Sequence, residues 1–86
     1  IYTVEIGTRS VEPLIEGAGA PNGLTVDTDD RLYYSDFNPR GLVYRVDSEA
    51  RTRTAVSTDE LRNPNGVAFD ADGDLWVAEY QSGRLY

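Results

Sequence analysis

Hydrophobic and polar residues alternate along most of this chain in short runs, the two-residue period of strands with one face turned inward. Ile1-Tyr2-Thr3-Val4-Glu5-Ile6 alternates up to Gly7 and predicts a strand with a turn behind it. Residues 10–15 predict a second strand. Its Pro13 has no N–H to donate to a ladder, which places this strand at a sheet edge. After the small-residue connection Gly17-Ala18-Gly19-Ala20, strands are predicted at 24–27, 32–36, 42–47 and 51–56, the last of them polar. The link 57–63 has room for one helical turn, but the β-branched residues around it argue against a true helix. Strands are predicted again at 67–70 and 75–79, and Arg84-Leu85-Tyr86 opens another. Asp72-Gly73 between alternating runs is a strong short-range hairpin signal.

The pattern repeats. Pro21-Asn22-Gly23-Leu24-Thr25-Val26-Asp27 returns 43 residues later as Pro64-Asn65-Gly66-Val67-Ala68-Phe69-Asp70. Each copy is followed by an acidic turn and an aromatic-bearing strand, Leu32-Tyr33-Tyr34-Ser35-Asp36 and Leu75-Trp76-Val77-Ala78-Glu79. Four short antiparallel strands in a period of about 40–45 residues mark the blades of a β-propeller. Aligning Tyr2 and Tyr86 with Tyr44 makes residues 1–16 a half blade of two outer strands and 17–58 a complete blade. Residues 59–86 are then a half blade of two inner strands and the start of a third. The expected fold class is all-β, one whole four-stranded blade flanked by two half blades.

Blades bury their faces against neighbours, and about three or more stacked repeats make a stable unit. The partners this implies are further blades, from a longer parent chain or from identical chains. Three copies would close a six-bladed ring as a homotrimer. The longer parent is preferred, because ring closure imposes a geometric condition of its own. Ile1 in place of an initiator Met points the same way, to a piece of a longer product.

Composition narrows the chemistry. The formal net charge is −7 and all eight basic residues are Arg. Without a basic stripe, neither a nucleic acid nor an anionic membrane is an expected partner. Arg45, Arg51 and Arg53 stand among Asp47 and Glu49 and read as a solvated mixed-charge edge. No apolar run approaches the roughly 20 residues of a helical membrane span. The chain has neither Cys nor His, so disulfides, thiol nucleophiles and the usual general base are missing, and its Ser residues have no visible activating partner. Asp70-Ala71-Asp72-Gly73-Asp74 resembles the opening of a calcium loop, but Leu75 and Gln81 stand where such a loop needs Gly and a bidentate Glu; a hairpin turn is expected instead. Asp36 and Glu79 occupy matching positions and are expected to line a blade junction or hydrogen-bond the next turn. Tyr33, Tyr34, Tyr44 and Trp76 are expected to pack between blades.

The two Pro-Asn-Gly phrases, together with Leu-Tyr-Tyr-Ser-Asp, Val-Tyr-Arg-Val-Asp and Asp-Ala-Asp-Gly-Asp-Leu-Trp-Val-Ala-Glu-Tyr, resemble the gluconolactonase/regucalcin (senescence marker protein) family over essentially the whole chain. NHL-repeat, strictosidine-synthase-like and streptogramin-lyase-like propellers use closely similar phrases. The resemblance implies two consecutive blades of a six-bladed propeller that hydrolyses sugar lactones or related esters with a divalent cation, Ca²⁺ or Zn²⁺, in its central channel. In that family the Asn of one Pro-Asn-Gly phrase is a metal ligand, a role that falls on Asn22. The same position in the next blade is usually Asp, ligand and proposed general base, and here it is Asn65. Asn65 can offer a carbonyl oxygen to a hard cation but cannot accept a proton as a base. The family's other ligands, a Glu and an Asn, lie on blades outside these residues. Two neutral donors fall short of the 6–8 oxygens Ca²⁺ prefers, so the chain alone is expected to be inactive. Turn chemistry at Asn-Gly stands beside metal ligation as an explanation of both copies. A non-catalytic NHL-type binding or assembly module is the alternative function.

Overall fold

The computed structural model describes residues 1–86, with eight strands and no helix. In chain order these are β1 (Tyr2–Glu5), β2 (Ser10–Pro13), β3 (Pro21–Val26), β4 (Leu32–Asp36), β5 (Val43–Asp47), β6 (Thr52–Ala55), β7 (Pro64–Phe69) and β8 (Leu75–Glu79). Each pairs with its sequence neighbour in an antiparallel ladder. The result is a β1-β2 sheet, a four-stranded β3-β4-β5-β6 sheet and a β7-β8 sheet. This is one whole propeller blade flanked by two half blades, as the repeat predicts.

One turn device is used three times. The Asp27 carboxylate accepts the backbone N–H groups of Asp29 and Arg31 at 2.9 and 3.0 Å. Asp70 does the same for Asp72 and Asp74 at 2.9 and 3.0 Å. Asp47 accepts from Glu49 and Ala50. Such Asx turns reverse the chain by local hydrogen bonding. Asp30 and Gly73, which share a repeat position, both take positive φ, 60° and 84°. The calcium-like string at 70–74 is therefore a hairpin turn whose first carboxylate is already engaged.

The inner strands β3 and β7 begin three residues earlier than alternation predicts, at Pro21 and Pro64 rather than Leu24 and Val67. Pro21 pairs with Asp36 and Pro64 with Glu79, each across a register shift that contains the following Asn-Gly. A proline at the first residue of a strand forfeits no ladder bond. The 57–63 link holds no helix; Leu61 is buried and exchanges both backbone hydrogen bonds with Gly41. The third strand of the last blade begins where Tyr86 exchanges hydrogen bonds with Val77 at 2.8 and 3.0 Å.

Burial lies between sheets. Ile15 and Ala18 pack with Tyr34 and Val46 on one face of the middle sheet, supported by Ile1, Leu14, Leu32 and Tyr44. Val43, Leu61 and Val77 pack on the other, with Val67 and Leu75. Successive strand residues point to opposite faces, so Tyr34 meets the first sheet while Tyr33 meets Phe69 of the last one, edge-on at 4.9 Å. Tyr44 stacks on Tyr34 within the middle blade, at 5.4 Å.

Trp76 holds the position of Tyr33 in the repeat and is 47% exposed, on a face with no further sheet of this chain. Its indole N–H donates to Asp70 at 2.9 Å. One expectation fails: Arg53 is not on a solvated edge. Its guanidinium lies 4.1 Å over the Tyr44 ring and donates to the Tyr34 hydroxyl and the Ala18 carbonyl at 2.5 and 2.9 Å. The pairing of β6 beside β5 sends this long side chain across Tyr44 toward the buried Tyr34.

Candidate functional site

The two Pro-Asn-Gly phrases come together where β3 lies against β7. None of Asn22, Gly23, Asn65 or Gly66 has a positive φ. The turn-chemistry explanation of Asn-Gly is thereby replaced: each phrase is a bulge inside an inner strand. Gly23 is required there by proximity, since an added Cβ would run into the Asn65 carbonyl oxygen and come within 3.1 Å of the Val67 nitrogen. The Asn and Gly inside each register shift lose their ladder partners and need others.

Ser35 supplies them. Its hydroxyl accepts the Gly23 N–H at 3.0 Å and donates to the Asn65 carbonyl at 2.5 Å. It is fully buried. Sequence reasoning missed this residue. The signal was a hydroxyl within the aromatic strand Leu32-Tyr33-Tyr34-Ser35, at a position where the next repeat has Ala78.

Asn22 is exposed and Asn65 half-buried, at equivalent positions of neighbouring strands. Both carry neutral amides whose carbonyl oxygens suit a hard cation. No group of three or more His, Cys, Asp and Glu side chains is arranged to hold a metal ion. The fit to a divalent cation is thus that of a partial donor set, two oxygens without charge.

The nearby carboxylates serve the backbone. Asp36 accepts the Ala20 N–H at 2.8 Å and the Asn38 amide. Glu79, one methylene longer, reaches one repeat position further back and accepts the Arg62 N–H at 2.6 Å. Both carboxylates bond the links that join one blade to the next, at Ala20 and Arg62, and Asp36 also reaches Asn38 in the turn that follows it, so both expected roles are seen. Burial pushes the Glu79 pKa up, but Ser82, the Arg62 N–H, Tyr86 and the Arg84 charge outweigh it and hold the carboxyl below its ordinary value. At the opposite ends of the inner strands, burial raises Asp27 as well. The Arg31 backbone and guanidinium, the Asp29 N–H and the Tyr33 hydroxyl overcome it and bring the pKa to about 2. Asp27 and Glu79 are held as structural anions.

The sequence model of the SMP-30/gluconolactonase/LRE-like region matches residues 1–86. The chain is 24% identical over 93 aligned residues to a protein named lactonase drp35 from Staphylococcus haemolyticus, covering 99% of this chain and 29% of that protein. It is 31% identical over 74 residues to pentonolactonase XacC from Haloferax volcanii, covering 78% of this chain and 25% of the relative. It is 39% identical over 72 residues to regucalcin from Xenopus laevis, covering 74% and 24%. The chain therefore spans between about a quarter and three tenths of the length of these relatives. With the family match running from the first residue to the last, across both Pro-Asn-Gly bulges, this chain belongs to the SMP-30/gluconolactonase/LRE-like family.

Proposed function

We propose that this chain is a two-blade portion of a six-bladed, divalent-cation-dependent lactonase acting on sugar lactones or related esters, and that Asn22 and Asn65 are its contribution to the channel site. One observation carries the reading. The two bulges bring equivalent Asn residues to adjacent inner strands, on a backbone that close packing at Gly23 and one buried hydroxyl hold in place. Names of relatives that include lactonase and pentonolactonase support the reaction class.

When bound, a divalent cation supplies Lewis-acid polarisation of the lactone carbonyl. Asn22 and Asn65 would hold it through their side-chain carbonyl oxygens, with charged donors supplied by other blades. Neither amide takes up a proton, so proton removal from water falls to a group outside these residues. The chain alone is inactive on this reading. The test is made in the whole protein. Asn22→Ala weakens Ca²⁺ or Zn²⁺ binding and sugar-lactone hydrolysis together, and unchanged values for both would sink the reading. Asn65→Asp, which adds a charge and a base, raises hydrolysis.

A second reading is a non-catalytic assembly module in which identical chains supply each other's missing strands. The pairing of Tyr86 with Val77 favours it, because it begins on β8 the strand that Tyr2 continues in the repeat alignment. Three copies then complete six blades. Light scattering on the 86-residue chain decides, and a folded monomer of 9.5 kDa refutes the trimer.

A further inference from the structure

We infer that Ser35 is a positioning residue for the cation site, acting through the backbone on both Asn22 and Asn65. The inference rests on the proposed role of those two residues. The Gly23 N–H belongs to the peptide group directly after Asn22, and the Asn65 carbonyl to the peptide group directly after Asn65. One hydroxyl holds both, as acceptor at 3.0 Å and as donor at 2.5 Å. A single oxygen therefore links β3, β4 and β7 through the peptide groups next to both Asn residues.

Three observations separate this role from ordinary blade packing. First, the bond to Asn65 crosses between sheets, whereas β3 is already laddered to β4 by its own backbone. Second, the device is absent from the next repeat. Ala78 occupies the equivalent position in β8, and that strand keeps its pairing with β7 across the same kind of bulge. The β7-β8 ladder thus forms without a hydroxyl there. Third, Ser35 is 0% exposed and a Cβ at Gly23 would meet the Asn65 carbonyl, so the hydroxyl and the glycine together fix how closely the bulges approach. Metal ligands depend on such supporting contacts, whose removal commonly lowers affinity about 10- to 100-fold.

The experiment titrates the metal-free whole protein with Ca²⁺ and with Zn²⁺ by calorimetry, and follows thermal unfolding without metal. Ser35→Ala is expected to bind at least about tenfold more weakly, at the low end of that range because the contact is to backbone. Ser35→Cys keeps the volume with a weaker hydrogen bond and falls between the two, which preserves the test should the Ala variant fold poorly. A lower metal-free Tm with unchanged affinity in both variants overturns the inference, since that is what a packing role produces. Asn22→Ala is titrated in parallel. Loss of affinity in Asn22→Ala but not in the Ser35 variants defeats the positioning role alone. Unchanged affinity in Asn22→Ala defeats the underlying reading, and this inference with it.

Discussion

Gly23 within β3 and Asp27 just beyond its end show how much a single position constrains this chain. A methyl group at Gly23 would strike the Asn65 backbone, which cannot rotate away as a side chain would. Gly23→Ala is expected to cost about 1–3 kcal/mol, the usual penalty of overpacking, measured as a lower urea midpoint. Asp27 sets a pH limit. Its folded pKa is about 2, against about 3.9 for an unperturbed Asp. Between those values the unfolded chain binds more protons than the folded one, so stability rises with pH. The contribution is complete above the unfolded value and disappears as pH falls through about 2. Asp70, lowered by the Trp76 indole and by the Asp74 N–H, adds to the same slope. Tm is expected to fall steadily below pH 4, and Asp27→Asn to flatten part of that decline. The sequence showed both aspartates as turn residues and both Asn as candidates. It did not show why Asn-Gly recurs, because a backbone contact 42 residues away leaves no local pattern.

Among the elements, β4 is the most enclosed. Its four residues from Tyr33 to Asp36 are all buried, since sheets pack on both of its faces. Arg53 closes one of those junctions by linking the Tyr34 hydroxyl, the Tyr44 ring and the Ala18 carbonyl. A hydrogen bond to a charged group contributes about 1.5–3 kcal/mol and a partly desolvated cation–π contact about 1 kcal/mol. Arg53→Ala should therefore lose about 2 kcal/mol in equilibrium unfolding, and Arg53→Lys should recover little, because one ammonium cannot stack flat and donate twice. Arg45 and Arg51, lacking such contacts, should tolerate Ala within about 0.5 kcal/mol. Alternation and turn residues made the hairpins legible in advance. They could not distinguish Arg53 from its neighbours, since its partners Ala18, Tyr34 and Tyr44 come from distant parts of the chain.

As a whole molecule the chain is open. Its accessible surface is 6008 Å², against about 5,000 Å² expected for a compact monomer of this mass. Its radius of gyration is 13.2 Å, where about 12 Å is expected for this length. The excess lies on sheet faces with no neighbour, exposing Tyr2, Val4 and Val11 at one end and Leu85 and Tyr86 at the other. Gly66 reports on what stacks there. A Cβ at Gly66 meets only the Ala78 methyl, at 4.0 Å. Gly66→Ala is thus near neutral in this chain by itself, and as damaging as Gly23→Ala where a following blade packs against β7. Comparing unfolding midpoints of the two variants in the short chain and in the longer protein checks this.

The sequence by itself determined the all-β class, the 43-residue repeat, the turns and the family, because each rests on local alternation or on a phrase that survives as a phrase. Tertiary structure alone decided that Asn22 and Asn65 stand on touching bulges, that Gly23 must be glycine, and that Ser35 joins them. Those facts depend on one blade packing against the next. Stacking brings together residues about one period apart in the chain, and their spacing is set by side-chain volume and hydrogen-bond reach rather than by their order.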